Sequence, residues 1–406
     1  MKKIIFTSLL FLIIHFANAQ VYGCTDTKAN NYNAAATINN GTCTYNGANV
    51  NPTTSKVLNA ALLETSGLIH WNNSLWTQND DTNNKLYSID TATGNIIQNY
   101  TLTNTVNKDW EEISQDDSFI YVGDFGNNSN GNRTDLHILR VEKTSLLLNA
   151  PIIDTIYFSY SNQTNFTATS SNNTDFDCEA FLVSSDSIYL FTKQWVSEKT
   201  GIYAMPKTPG TYVAALRSTI NIQGLATGIT YLEDKRLAVI CGYSKLLQPF
   251  FYLLYDFRNN DFANGNKRKI SVNLAFHQME GIATENGLKY YATNESSPLN
   301  NPQKLHTFDL SSFLSTYVRQ IPTSINNNKK KANFSVFPNP SSEQIQIVIG
   351  NELLGTNCTI YNLSGKSMIS ISLKDLQTII DTKSFPAAMY IVHIDGQGAE
   401  VSFIKQ

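Results

Sequence analysis

Five stretches of this chain share one pattern, and that repetition restricts the fold more than any single residue does. They are ETSGLIHWNNSLWTQNDDTNNKLYSID from Glu64, DWEEISQDDSFIYVGDFGNN from Asp109, DCEAFLVSSDSIYLFTKQW from Asp177, LATGITYLEDKRLAVICGYS from Leu225 and MEGIATENGLKYYATNES from Met279. Each sets a small or acidic residue and then a small residue ahead of an apolar strand. A polar turn and a second apolar strand with a polar end follow. A third strand comes next in most copies, as in KLYSID, DLHILRV, GIYAM, FFYLLYDF and KLHTF. Aligned on the first strand, the lead residues are Ser66, Glu111, Glu179, Thr227 and Glu280, spaced roughly 45 to 68 residues apart. That period suits a four-stranded sheet, and such sheets around one axis form a β-propeller. The expected fold is all-β with five blades, or six if one copy has lost its motif. The widest gap, Glu111 to Glu179, holds the loop SNQTNFTATSSNNTD and is too short for two blades. SKVLNAALL, ahead of the first copy, is the candidate for a ring-closing strand; two packed sheets without closure are the alternative. Between Ser55 and Pro322 no stretch shows sustained helical periodicity.

The region 52–322 also resembles secreted propellers related to esterase-like phytases and SdiA-regulated proteins. The residues that carry the resemblance are ETSGL, DWEEI with YVGDFGNN, DCEAF with YLFTK, TGITY, and MEGIA with YYATNE. YVGDFGNN departs from the commoner form, which has a second acid where Asn127 and Asn128 stand here. The resemblance implies the propeller fold more strongly than any activity.

Innermost strands line the axis of a propeller, so corresponding strand ends converge on one mouth. Glu111, Glu179 and Glu280 occupy one such level, with Glu64 beside them. The ends of the second strands supply Asp80, Asp124, Lys193, and Asn294 with Glu295. Carboxylates crowded this way raise one another's pKa values, and a hard cation relieves the repulsion. Glu111, Glu179, Glu280 and Asp124 are therefore the expected metal ligands, with Ca²⁺ as the cofactor. A Ca²⁺-dependent phosphoesterase would use the metal to bridge phosphate oxygens and to acidify the attacking water. Lys193, Arg133 and Lys245 are its candidate phosphate contacts. The same residues have a structural reading, in which Glu111, Glu179 and Glu280 tie neighbouring blades together and GDFGNN is a turn. No nucleophile elbow, P-loop or dinucleotide fingerprint is present, and catalytic residues are unassigned.

The ends of the chain speak to its address. Residues 1–19, MKKIIFTSLLFLIIHFANA, have the lysines, apolar run and small-residue end of a signal peptide, and the run is shorter than a membrane span. In residues 20–46, Cys24 and Cys43 bracket a loop that reads as a disulfide in an exported protein. This stretch resembles a cysteine-bracketed motif of secreted marine Bacteroidetes proteins, with asparagines where acids would hold calcium, so a cap or spacer is expected. Residues 323–332, rich in asparagine and lysine, read as a flexible linker. In residues 333–406, apolar alternation in IQIVI, CTIYNL and MYIVHI predicts a small Ig-like β-sandwich. That segment resembles the type A C-terminal sorting domain of the Bacteroidetes type IX secretion system. The matching residues are the FPNP opening (Phe337, Pro338, Asn339, Pro340), the IYNLSGK hairpin with Gly365, the PAAMYIV strand and Lys405. The resemblance implies type IX machinery as a partner and delivery to the cell surface or medium. A net charge of -3 with 16% charged residues argues against nucleic acid. The expected role is recognition of an extracellular ligand (glycan, protein or phosphorylated small molecule), the alternatives being the phosphoesterase and a structural or adhesion protein.

Overall fold

A computed structural model describes residues 20–81, 83–297, 301–320, 334–362, 365–395 and 400–406. The signal peptide expected at 1–19 and the linker expected at 323–332 lie outside the described residues. Each copy of the repeat is one antiparallel sheet. The innermost strands are Thr65–Trp71, Trp110–Gln115, Asp177–Val183, Leu225–Leu232 and Met279–Thr284. In the first four sheets three further strands follow outward in chain order, as Ser74–Asn79, Lys85–Ile89 and Ile96–Thr101 do in blade 1. Innermost strands pack in sequence around an axis, and the fifth packs on the first. The ring is therefore closed with five blades, and the six-blade and open-sandwich alternatives fall away.

Blade 5 is composite. Its outer strand, Thr54–Val57, comes from before blade 1 and pairs antiparallel with Lys304–Asp309, setting Ser55 opposite His306. The closing segment was expected in SKVLNAALL, and its first residues do this work. Blades 2 and 3 share more than packed faces: Ile153–Tyr160 pairs in parallel with Gly210–Ile220, which merges them into one eight-stranded sheet. Phe125, Phe158 and Phe181 fill the wedge between these two blades. Burying each such ring contributes about 1.5–3 kcal/mol.

The N-terminal residues lie against blade 4. Cys24 and Cys43 are bridged, and Asn49–Val50 adds a fifth, parallel strand to that blade's outer edge. Tyr45 and Tyr255 both donate their hydroxyls to Asp26 Oδ2, at 2.8 and 2.5 Å. An edge that would otherwise offer unpaired backbone groups is partly covered.

Two helices depart from the sequence expectation, the short Lys143–Leu147 and a longer one near the end of the propeller. Ser311–Gln320 is an α-helix. Asp309 Oδ1 accepts from the Ser311 N–H at 2.8 Å, and Phe313, Leu314, Tyr317 and Val318 recur at helical spacing on the face packed against blades 4 and 5. Four apolar residues in one short run were too few to stand out among the strands.

The C-terminal residues form two sheets, Phe334–Phe337, Gln344–Ile349 and Gln377–Asp381 facing Asn357–Asn362, Ser367–Ser372, Ala388–Ile394 and Glu400–Lys405. Ile345, Ile347, Ile360, Val392 and Phe403 form the core between them. The Asn339 side chain accepts from the Ile404 N–H at 2.9 Å and donates to Ser402 O at 3.1 Å, tying the FPNP turn to the last strand.

Candidate functional site

The repeated lead residue has a backbone cause. In blades 2 to 5 the pairing of first and second strands shifts register where Glu111, Glu179, Thr227 and Glu280 stand. In blade 1 the shift falls just after Ser66. A bulge leaves one residue unpaired and re-aims its side chain. Here the bulged side chains turn toward the axis at the end of the ring where the innermost strands begin.

The two neutral lead residues hold blades together. Ser66 Oγ donates to the Glu111 carbonyl and Thr227 Oγ1 donates to the Met279 carbonyl. The three acidic ones line a cavity of about 190 Å³. Its walls carry the carboxylates of Asp80, Asp109, Glu111, Glu179, Glu280 and Glu295, and Lys193 is the only cationic residue among them. Trp195, Tyr243 and Gln278 complete much of the lining. Asp109 was not foreseen, nor was Asp177, which stands behind Glu179. Both lie two residues before a lead glutamate, as Glu64 and Gln278 lie two before Ser66 and Glu280. Residues two apart on a strand share a face, so the repeated Asp-x-Glu in DWE and DCE was the available signal.

Lys193 sits among these acids, donating to Glu179 Oε2 at 2.5 Å and to the Tyr243 hydroxyl at 3.0 Å. Its ammonium lies 4.6 Å from the Trp195 ring centre and 5.0 Å from that of Tyr243. Burial alone would lower its pKa, but Glu179, Tyr243, Glu280 and Asp177 outweigh that and raise it. One ammonium cannot balance six carboxylates. Burial, then Glu179, Asp109 and Asp177, push Glu111 well above the carboxylate range. Burial is also the first cause that raises Asp109 to about 6, Asp80 and Glu280 to about 7, and Glu295 to about 9. Glu280 is 6% exposed and its Oε2 has no hydrogen-bond partner.

Asp124, expected in this ring, lies elsewhere. It occupies the register position of Lys193, since each pairs with the first residue of its innermost strand, Trp110 or Asp177. The shorter carboxylate does not reach the axis. It accepts from Arg133 Nη2 at 2.6 Å and from the Lys108 N–H at 3.1 Å, and lines a separate cavity with His137 and Asp135. The two other cations considered for phosphate are also committed. Arg133 is held by Asp124, Asp135 and the Gly126 carbonyl, and Lys245 pairs with Glu198 at 3.2 Å.

Below the cavity the axis is filled by Glu112, which is fully buried. Its Oε1 accepts from the Ile113 N–H at 2.9 Å and its Oε2 from the Ile229 N–H of blade 4 at 2.8 Å. The position after the lead residue is Gly67, Ala180, Gly228 and Gly281 in the other blades, and the Glu112 carboxylate lies beside two of these glycines. A Cβ on Gly67 would lie 2.6 Å from Glu112 Oε1, and one on Gly228 3.1 Å from Oε2. Glu112 is thus a carboxylate that links blade 2 to blade 4 across the axis.

Two groups of oxygens suit a hard cation. Glu111, Asp177 and Glu179 offer ligand atoms within 4.8 Å of one another, as do Glu64, Asp80 and Glu295. About that span separates oxygens across a Ca²⁺ ion with ligands at ~2.3–2.6 Å. Asp177 is oriented by the Asn127 N–H at 2.6 Å and the Trp195 Nε1–H at 2.8 Å. An ion there would share Glu179 with Lys193. The donor set fits Ca²⁺ in chemistry and spacing.

Among curated proteins, none matches this chain. Several solved structures are similar to it. Glutaminyl cyclase of Myxococcus xanthus is 10% identical, with a TM-score of 0.40 over 64% of this chain and 98% of that one. PorZ, a surface component of the type-IX secretion system of Porphyromonas gingivalis, is 11% identical, with a TM-score of 0.30 over 84% of this chain and 45% of its own. The WD40 repeats of RRP9 are 8% identical, with a TM-score of 0.35 over 63% and 98%. Among the described residues no helix is long and apolar enough to cross a membrane. Residues 335–405 match the family described as the secretion system C-terminal sorting domain. The chain carries the sorting tail of type IX secretion cargo, and with it an address at the cell surface or beyond.

Proposed function

We propose that this exported propeller is a recognition module whose binding centre is the carboxylate cavity, and that the cavity takes a cation. The observation that carries the reading is the convergence of six carboxylates on one cavity with a single ammonium among them. Ca²⁺ is the inorganic candidate, held by Glu111, Asp177 and Glu179 or by Glu64, Asp80 and Glu295. It would offset the burial and the mutual repulsion that raise the pKa values of these groups.

A metal-dependent phosphoesterase is the second reading, favoured by the close oxygens of Glu111, Asp177 and Glu179. A bound metal would polarise a phosphoryl oxygen. Lys193 alone would meet the remaining phosphate charge, because Arg133 and Lys245 are paired with acids. That balance favours a positively charged ligand over an anionic substrate.

The test is calorimetry of the full chain with Ca²⁺ at pH 8, alongside Glu111→Gln and Glu295→Gln, one from each group. The expected result is binding that one of the two substitutions weakens about tenfold or more, with no phosphate released from p-nitrophenyl phosphate. Absence of binding at millimolar Ca²⁺ rejects the metal, and chelator-sensitive turnover moves the conclusion to the phosphoesterase.

A further inference from the structure

The loops at the cavity end expose more large apolar residues than the described loops at the opposite end. Leu63, Val106, Phe166, Val196, Leu246 and Phe276 are 41 to 82% exposed. All six stand in connections that precede an innermost strand or follow a second strand, which places them at the cavity end. Among the described residues of the loops at the opposite end, Ile152 is the one large apolar residue so exposed. Exposed apolar side chains gathered on one face mark an interaction surface.

We propose that this face docks a polypeptide partner that inserts one lysine or arginine side chain into the carboxylate cavity while its own apolar surface covers the surrounding residues. The inference rests on the cation reading above and names the cation's source. Charge complementarity selects the inserted group, since six carboxylates face one ammonium. Glu280 Oε2, buried and without a partner, is an acceptor waiting for a donor. Lys193 shows how the cavity treats an ammonium, placing it against Glu179 and beside the faces of Trp195 and Tyr243. A bare metal ion makes no use of Val196 or Leu246. A phosphate-bearing surface, whether lipid or nucleic acid, is repelled by the same carboxylates.

The test presents the full chain, at pH 7.5, with a library of acetylated heptapeptides. Each has a central lysine flanked by Leu, Ile, Val, Phe, Tyr or Ser, and twin libraries carry arginine or glutamine at the centre. Ca²⁺ calorimetry runs on the same preparation. Lysine or arginine peptides should be enriched at least tenfold over glutamine twins, and Glu280→Gln should remove at least tenfold of their affinity. Val196→Ser and Leu246→Ser, at exposed positions that leave the fold intact, should weaken the selected peptides severalfold and leave the Ca²⁺ titration unchanged. Equal recovery of glutamine peptides, or binding to phosphatidylglycerol vesicles instead, overturns the proposal. If Ca²⁺ binds and no peptide does, this inference falls alone; if neither binds, the cation reading falls with it.

Discussion

Glu280→Gln should make the folded protein more stable at pH 8, in metal-free buffer, and leave it nearly unchanged at pH 4.5. Glu280 is 6% exposed, and burial raises its carboxyl from the ordinary 4.5 to about 7 against the opposing pull of Lys193. Below pH 4.5 the carboxyl is protonated in folded and unfolded chains alike, and it exerts no differential effect. Between 4.5 and 7 the unfolded chain ionises while the folded one stays protonated, so stability is lost as pH rises and the loss levels off above 7. At about 1.4 kcal/mol per pKa unit the loss is on the order of 3 kcal/mol. Glutamine does not titrate, so the stability gap between variant and wild type should widen by about that much from pH 4.5 to 8. Urea melts followed by tryptophan fluorescence report on the propeller alone, because Trp71, Trp76, Trp110 and Trp195 are the chain's only tryptophans. A gap that stays flat across this range would mean that Glu280 is ionised in the native state. The argument from burial to protonation would then be refuted.

Three more outcomes test other parts of the structure. Glu112→Ala strips acceptors from the buried N–H groups of Ile113 and Ile229, and should cost about 3 kcal/mol or more in the same melts. An unchanged midpoint would show that the axis does not depend on this carboxylate. Arg133→Met leaves Asp124 buried without its cation and should destabilise by about 3 kcal/mol, yet Ca²⁺ titration should be unaltered; lost affinity would return Asp124 to the cavity. Truncation after Lys331 removes the matched tail at 335–405 and should leave the protein in the periplasm on fractionation, whereas normal secretion would contradict the address.

The blades were legible because each lead residue is tied to a bulge that every copy repeats, so the same residue types recur at the same distance from a strand. Glu111, Glu179 and Glu280 followed from that alignment. Asp109 and Asp177 were equally available in Asp-x-Glu, but the alignment took one position per blade and passed over the one two residues earlier. Glu112 was hidden for a different reason. Beside Glu111 it reads as a second surface acid, and only the ring brings Ile229 within reach of its side chain. Asp124 shares its strand-end position with Lys193, and nothing local distinguishes a short side chain captured by Arg133 from a long one that reaches the axis. Pairings between neighbouring blades, such as the Ile153–Tyr160 strand with Gly210–Ile220, have no signature in either segment.

The seam of the composite blade ties the two ends of the propeller segment into a single timing device. Ser55 and His306, hydrogen bonded at 2.7 Å, are 251 residues apart, so the ring stays open until nearly its whole length is available. Contacts at such separation form late and slowly. In chain order the strand that completes the seam, Lys304–Asp309, is followed by the helix Ser311–Gln320 and then by the tail matched at 335–405. A chain cut short anywhere inside the propeller loses its clasp and its address together. Only a polypeptide long enough to close can be recognised for release, which makes the order of segments a length check on what reaches the surface.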